Sequence, residues 1–489
     1  MDESTLAKSA RGSAYNLTAN AATMVLGFIR SVLLMRLLDP EYFGVIALSL
    51  FFTTLISPFS VFGIDNVLIQ KKDPSKVYFS THFILRMILG ILVLLIGILI
   101  SPLMLRIYEY QKIIVYIFLF LLLLKLLEAS YSTHNIVIRR ELRFGPLAIL
   151  NLISSLAMTI IAPIMAYLGA GIWSLVAEQV IGPIIRWIGF WLVLHPWRPS
   201  LKFNLDQARS LLRFGSVYMS SNLLGILLDR FDDFWVGTYL GSRSLGYYSR
   251  AYALAQYPER IIATPIVNVF FPTYAAIQNN KTELSKAFFR SSSFLIRTGF
   301  LFALVLMITT PEITLILFTA TWLPIVPIFR IMVVYILLDP FYVNLSYLLA
   351  GVGQPGVLTR TRIIQTAFFI VAVISFSYLW GVKGVAVAAN LMMLMGTVIL
   401  VIKSRQFVCF SLSRMLLWPI VALLLASLAG LIVIYYSDHL SIWSNLFLKS
   451  AIVTIVYLLS LYITEREIFH EYGVLVIQPM WEKIISIRE

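Results

Sequence analysis

The chain has 489 residues, a formal net charge of +14 and a mean hydropathy of +0.88, and 13% of its residues are charged. A soluble domain has about 25% charged residues, so the composition excludes an ordinary soluble protein. Apolar runs of membrane-spanning length recur along the sequence and predict an all-α, polytopic membrane protein. The lone Cys409 excludes an intramolecular disulfide and a cysteine-based metal site.

The apolar runs divide into about fourteen segments of roughly twenty residues each. We place these segments near residues 11–37, 40–66, 77–101, 112–136, 146–168, 171–194, 213–240, 244–273, 284–309, 325–350, 358–380, 382–403, 415–436 and 445–463. No cleavable signal peptide is expected, because the residues before the first run are polar and that run is too long for a signal sequence.

Four regions are expected from this pattern. Residues 1–195 form an N-terminal lobe, 196–212 a cytoplasmic linker with a short amphipathic helix, and 213–405 a C-terminal lobe. Residues 406–489 form an accessory helix pair and a cytoplasmic tail. The accessory pair reads as uniformly apolar, with no polar face, and so as an addition to two parallel six-helix lobes.

Lysine and arginine residues collect in alternate connections. One set contains Lys71, Lys72, Arg139 and Arg140, whereas the opposite set contains little beyond isolated residues such as Arg106. The positive-inside rule then predicts that both termini lie in the cytoplasm. Basic loops that set topology account for the net charge better than nucleic-acid binding does, so no nucleic-acid partner is expected.

The first segment carries a polar stripe. Its members are Asn16, Asn20, Thr23, Gly27 and Arg30. Their spacing of 4, 3, 4 and 3 places them on one helical face. Packing between helices explains the asparagines and the glycine, but Arg30 lies well inside the span, which favours a cavity.

The seventh segment, from Arg213 to Leu240, carries charges near its outer end. These are Asp229, Arg230, Asp232 and Asp233. A charged side chain at a helix centre costs roughly 2.5–3.5 kcal/mol on insertion scales, so this group needs water, a partner or a ligand.

The seventh segment also repeats the first. A shift of about two hundred positions superposes Arg11 on Arg213, Asn20 on Asn222 and Gly44 on Gly246, a weak internal repeat. Six spans separate the copies, so the repeats are parallel, with a site expected at their interface. Arg30 aligns with Asp232, and we expect Asp229 and Asp232 to face Arg30.

Further charges lie within other segments. Candidates for a substrate-binding cavity are Arg30, Arg86, Arg250, Arg260, Arg297, Asn20 and Asn222. Candidates for gating or ion coupling are Asp65, Glu178, Asp229, Arg230, Asp232 and Asp233. Arginine is always charged and matches phosphate geometry, so the arginines suit an anionic substrate. Lys125 and Glu128 read as a structural ion pair.

Enzyme chemistry is disfavoured. The sequence has no Walker loop, no zinc-type histidine spacing and no dinucleotide fingerprint, so no cofactor or metal is expected. A membrane polymerase or ligase would carry a sizeable outer loop with catalytic side chains, and no outer loop here exceeds about fifteen residues.

Several short stretches resemble a known family, the Wzx-type, WzxC-like polysaccharide flippases of the multidrug/oligosaccharidyl-lipid/polysaccharide exporter superfamily. These stretches are Phe62-Gly63-Ile64 through Ile69-Gln70-Lys71, Leu212-Arg213-Phe214-Gly215, Phe271-Pro272 with Ile277-Gln278, and Trp322 with Pro327. The resemblance implies two six-helix lobes with two extra C-terminal helices. It also implies flipping of undecaprenyl-diphosphate-linked oligosaccharide to the outer leaflet of a bacterial plasma membrane.

Partners follow from that resemblance. They are the lipid-linked oligosaccharide, membrane lipids, a coupling H⁺ or Na⁺, and polysaccharide polymerase and export proteins. Two alternatives stay open: a drug/cation antiporter on the same fold, which the excess of arginines disfavours, and a membrane glycan polymerase or ligase.

Overall fold

The computed structural model describes residues 3–436 and 439–466, and its regular elements are helices. They are α1 (Glu3–Leu37), α2 (Pro40–Val61), α3 (Ile64–Gln70), α4 (Lys76–Ile107), α5 (Ile113–Arg140), α6 (Phe144–Tyr167), α7 (Ile172–Ile188), α8 (Leu205–Trp235), α9 (Ser242–Ala255), α10 (Thr264–Ala276), α11 (Lys281–Leu317), α12 (Ile325–Gly351), α13 (Pro355–Ser404), α14 (Leu412–Tyr436) and α15 (Ile442–Thr464). The predicted all-α fold class is confirmed.

Twelve helices in the described part of the chain are long and apolar enough to cross a membrane. The predicted fourteen spans are consistent with this number for two reasons. The 50-residue α13 contains a break at Gly381, whose φ of 57° lies in the left-handed region, so it holds two predicted spans. The predicted span at 244–273 is divided into α9, a π-helical turn at Glu259–Ala263, and α10.

The start of α8 lies in the stretch 196–212, where the sequence predicts a linker with a short amphipathic helix. Helix α8 begins at Leu205 and continues into the predicted seventh segment. The side chain of Asn204 accepts a hydrogen bond from the backbone N–H of Gln207 at 3.0 Å and so caps the first turn.

The predicted second span also ends early, at a sharp turn. Phe62 (φ 47°) and Gly63 (φ 65°) are both left-handed, and they separate α2 from α3. A Cβ at position 63 would lie 2.4 Å from the carbonyl oxygen of Gly215 on α8, and one at 215 would lie 2.2 Å from that of Phe62. Two of the short stretches that carry the family resemblance are therefore the two sides of one backbone contact.

The chain forms two compact units. Unit 1 contains Met1–Ser249 and Leu317–Thr321, and unit 2 contains Arg250–Ile316 and Trp322–Glu489. Helix α8 belongs to unit 1 because it packs on α2, α3 and α4. These units follow packing rather than sequence repeats, so the predicted division into lobes at 196–212 stays a prediction.

The internal repeat is visible in unit 1 as a reciprocal contact. A Cβ at Gly44 would lie 1.7 Å from the carbonyl oxygen of Ser242, and one at Gly246 would lie 1.9 Å from that of Pro40. In the alignment of the repeats Pro40 corresponds to Ser242 and Gly44 to Gly246. Gly44 thus packs on Ser242, the counterpart of Pro40, and Gly246 packs on Pro40 itself. This exchange of equivalent residues is the pattern of a two-fold contact.

Unit 2 has a continuous apolar core that includes α11, α14 and α15. Ile308, Ala426, Val453 and Tyr457 are buried in this core. At Gly430 on α14 a Cβ would lie 2.4 Å from the side chain of Ile308, so the absence of a side chain allows close helix packing.

Candidate functional site

Arg30 forms an ion pair inside unit 1. Its Nε donates to the carboxylate of Glu178 on α7 at 2.7 Å, and its Nη1 lies 3.4 Å from the hydroxyl of Thr159 on α6. Helices α6 and α7 are antiparallel because Gly169 (φ 84°) and Gly171 (φ 54°) reverse the chain between them. That reversal places Thr159 and Glu178 side by side against α1.

The predicted pairing of Arg30 with Asp232 is wrong. Asp232 is buried and accepts hydrogen bonds from the hydroxyl of Tyr248 at 2.6 Å and from the backbone N–H of Asp233 at 3.0 Å. Equivalent positions in two repeats need not face each other, and α1 packs instead on α6. Two of the predicted gating residues therefore have different partners: Glu178 pairs with Arg30 on α1, and Asp232 binds Tyr248 on α9.

The exposed face of α8 carries other predicted residues. Asn222 and Asp229 are seven residues apart and both exposed, so they share one face of the helix. Arg230 pairs with Asp233 at 2.9 Å, one turn along the same helix. Asn20 on α1 is exposed as well.

Asp65 joins His82 and Arg86 in a second cluster of unit 1. One carboxylate oxygen of Asp65 lies 3.1 Å from His82 Nε2 and 3.1 Å from Arg86 Nε. Arg86 also donates to Ser132 Oγ at 3.0 Å and to the carbonyl of Ser60. The structure thus brings together two predicted residues, Asp65 and Arg86, and surrounds the arginine with acceptors.

Three further charged residues of unit 1 are Lys125, Glu128 and Arg186. Lys125 and Glu128 form the predicted ion pair within α5 at 2.8 Å. Arg186 on α7 is partly buried, and its Nε has no hydrogen-bond acceptor among the described residues. Tyr131 lies within electrostatic range of Glu128 and Arg186.

In unit 2 the broken helix α9–α10 carries the other predicted arginines. Arg250 is partly buried near the end of α9, whereas Arg260 is exposed in the π-helical turn and donates to Gln256 at 2.7 Å. The carboxyl groups of Glu259, in that turn, and Asp339, on α12, lie close enough to interact with each other. π-Helical turns of this kind are frequent at functional sites.

Arg297 has a fixed partner rather than a cavity. It donates to the carboxylate of Glu465 at 2.8 Å and to the carbonyl of Ser293 at 2.8 Å, and all of these groups are buried. A second buried pair joins Lys449 on α15 to Glu312 on α11. The prediction that the last two segments are uniformly apolar is wrong at Lys449, which lies inside the last of them, and Glu465 follows directly after that segment.

A metal centre has no support from the described residues, where no group of three or more His, Cys, Asp or Glu side chains could hold an ion. The interior charges instead form short-range pairs in each unit. The two units therefore contain guanidinium groups within span-length helices. Some of these groups are paired with carboxylates, and others are accessible to an anion.

Comparison with known sequences gives a family match. The family described as polysaccharide biosynthesis protein matches residues 33–327, which is more than half of the chain. The lipopolysaccharide biosynthesis protein WzxC of Escherichia coli (strain K12) is 23% identical over 403 residues and is covered to 80%, as is this chain. The succinoglycan biosynthesis transport protein ExoT of Rhizobium meliloti (strain 1021) is 25% identical over 370 residues, which cover 73% of this chain and 72% of that protein.

Comparison with solved structures supports the fold. The lipid II flippase MurJ, in an inward closed conformation, superposes with a TM-score of 0.73 at 16% identity. The superposition covers 92% of this chain and 99% of that one. The predicted resemblance to polysaccharide flippases is confirmed.

Proposed function

The chain belongs to the polysaccharide biosynthesis protein family, and on that premise we propose that it is a flippase for lipid-linked oligosaccharide in the bacterial plasma membrane. The observation that carries the proposal is the family match across residues 33–327 in a chain with twelve span-length helices. The likeness of its fold to that of a lipid II flippase adds support.

The substrate class follows from the chemistry of the interior. Arginine side chains at membrane depth suit a diphosphate, because a guanidinium stays charged and binds phosphate oxygens in pairs. The saccharide would follow the diphosphate through the protein while the polyprenyl chain remains in the bilayer. Alternating access of the two lobes would move the head group from the cytoplasmic to the outer leaflet.

We assign the substrate contacts to residues that are accessible within their own unit. In unit 1 these are Asn20, Asn222 and Arg30, and in unit 2 Arg250 and Arg260. Arg86 and Arg297 are given structural roles instead, because buried acceptors surround each guanidinium.

Coupling is assigned to the carboxyl pair of unit 2. Glu259 and Asp339 bring two carboxyl groups together, and two such groups can share a hydrogen bond only when one of them carries a proton. Loss of that proton would leave two negative charges side by side, and their repulsion would move the two carboxylates apart. We therefore propose H⁺ as the coupling ion and Asp339→Asn as a variant whose export no longer responds to the proton gradient. Unchanged gradient dependence in Asp339→Asn would exclude this pair.

The flippase function is tested in cells and in liposomes. In a strain that lacks the gene, surface polysaccharide should be lost and the lipid-linked oligosaccharide should accumulate on the cytoplasmic leaflet. Purified protein in liposomes should move labelled lipid-linked oligosaccharide between leaflets without changing its chromatographic mass. A change in mass would identify an enzyme, and efflux of cationic dyes without lipid movement would identify a drug antiporter.

Site residues are tested in the same assays. Arg30→Ala and Arg260→Ala should abolish export while the protein remains at its normal level in the membrane. Arg330→Ala is the matched control, because Arg330 is an exposed arginine on α12 whose acceptor is a backbone carbonyl at 3.4 Å. Normal export by both cavity variants would refute the assignment.

A further inference from the structure

The interior charges of α1, α5 and α7 in unit 1 do not balance. Glu178 pairs with Arg30 at 2.7 Å, and Glu128 pairs with Lys125 at 2.8 Å. Within the described residues Arg186 has no ion pair, and its buried Nε has no hydrogen-bond acceptor. Three cations therefore share two carboxylates, and this group has one positive charge in excess.

The position of the Arg186 guanidinium is set by a glycine on the same helix. A Cβ at Gly182 would lie 3.1 Å from Arg186 Nη2 and 3.5 Å from the sulfur of Met158 on α6. Helical side chains point toward the N-terminus of their helix, so the guanidinium extends over Gly182 in the direction of Glu178. Any larger residue at position 182 would occupy that space.

The positive charge of Arg186 is destabilising in its surroundings unless an anion is bound. Arginine cannot lose its proton in a protein, and an unpaired cation within a membrane helix requires a partner, water or a ligand. Glu178 lies two turns from Arg186 on α7 and is already paired with Arg30. Tyr131 also lies near Arg186, and a phenolic hydroxyl offers a hydrogen-bond acceptor but no carboxylate.

We propose that Arg186 binds a phosphate oxyanion between α5, α6 and α7 of unit 1. The inference rests on the proposed function for the source of that phosphate, which is the diphosphate of the lipid-linked oligosaccharide. Glu178 limits the strength of this binding, because its negative charge lies along the same helix. The ion pair of Arg30 and Glu178 thus sets how strongly Arg186 binds the phosphate.

The test measures binding to the purified full-length protein in nanodiscs. The probes are undecaprenyl diphosphate, inorganic diphosphate, and phosphatidylglycerol in place of a zwitterionic nanodisc lipid. Arg186→Gln should weaken undecaprenyl diphosphate binding by about tenfold or more, as expected for loss of a charge-assisted hydrogen bond. Arg143→Gln, which removes an exposed arginine paired with Glu141, is the matched control and should leave binding unchanged.

Two further measurements separate binding from structure. The melting temperature of ligand-free Arg186→Gln should equal or exceed that of the wild type, because an uncompensated cation has been removed, whereas loss of a structural cation would lower it. Glu178→Gln should change binding in the opposite direction and strengthen it several-fold. Glu178→Gln also tests the proposal if Arg186→Gln fails to fold.

The outcomes discriminate between the sources of phosphate. A loss confined to undecaprenyl diphosphate and inorganic diphosphate supports the proposal as stated, while a loss confined to phosphatidylglycerol overturns the substrate as the source. Equal binding by wild type and Arg186→Gln overturns the site. If binding depends on Arg186 but the wild type moves no lipid-linked oligosaccharide in liposomes, the proposed function fails and the phosphate site stands.

Discussion

Arg297 in unit 2 and Arg186 in unit 1 are both arginines within membrane helices, yet their surroundings differ. Arg297 has its own carboxylate, Glu465, and their side chains are only 6% and 3% exposed. Arg186 has no carboxylate of its own among the described residues and lies beside a pair that is already complete. The difference indicates that a buried cation with a dedicated partner serves the fold, whereas a cation in excess is available to a ligand.

This comparison can be sharpened with a series of ion pairs of decreasing burial. The same interaction occurs in four settings along the chain, from the interior of unit 2 to the exposed first turns of α11. If burial decides the role of each pair, then the loss of stability should fall along the series while the effect on ligand binding should not follow it.

The largest effect is expected at Arg297. Arg297→Met leaves the carboxylate of Glu465 buried without a partner and should lower the free energy of unfolding by about 3–5 kcal/mol. Denaturation of the purified protein measures this loss. The double variant Arg297→Met/Glu465→Met should recover most of it, and equal losses in the single and double variants would contradict the explanation.

The second effect is expected at Glu178, whose side chain is 23% exposed while that of Arg30 is 14% exposed. Glu178→Gln should lower the free energy of unfolding by about 1–3 kcal/mol, because the Arg30 guanidinium loses a charged acceptor. The same denaturation experiment measures it. A loss as large as that at Arg297 would mean that this pair, too, is purely structural.

A smaller effect is expected at Lys125. The side chains of Lys125 and Glu128 are 32% and 30% exposed. Lys125→Gln should lower the free energy of unfolding by at most about 1 kcal/mol, because solvent screens pairs of this exposure. Binding of undecaprenyl diphosphate should weaken less than in Arg186→Gln, and a stronger loss in Lys125→Gln would move the proposed phosphate site to α5.

The smallest effect is expected at Lys286. Lys286 and Glu283 form an exposed pair within α11, with 61% and 53% exposure. Lys286→Gln should change neither export nor the melting temperature measurably, since exposed pairs contribute about 0–1 kcal/mol. A clear loss of stability there would show that burial does not order the series.

The sequence predicts the helices well because hydropathy alone defines most of them. It also predicts the pair of Lys125 and Glu128, since spacing of three residues on one helix suffices to bring two side chains together. The polar stripes of the first and seventh segments are predictable for the same reason. Contacts within a single helix can thus be predicted from the spacing of residues.

Contacts between residues of different helices cannot be predicted in this way. Arg30 lies 148 positions from Glu178, and Arg297 lies 168 positions from Glu465. Spacing carries no information on such contacts, and the alignment of the repeats pointed to Asp232 instead of Glu178. The left-handed turn at Phe62 and Gly63 was missed because the residues on both sides of it are apolar.

The reciprocal contact of Gly44 and Gly246 has a genetic consequence. In a two-fold homodimer one mutation changes both sides of a contact, because both copies carry it. Here the two sides are specified by separate codons of one gene, so each can change alone. The single chain can therefore acquire an asymmetry that a homodimer cannot, and it has done so where Ser242 stands in the place of Pro40.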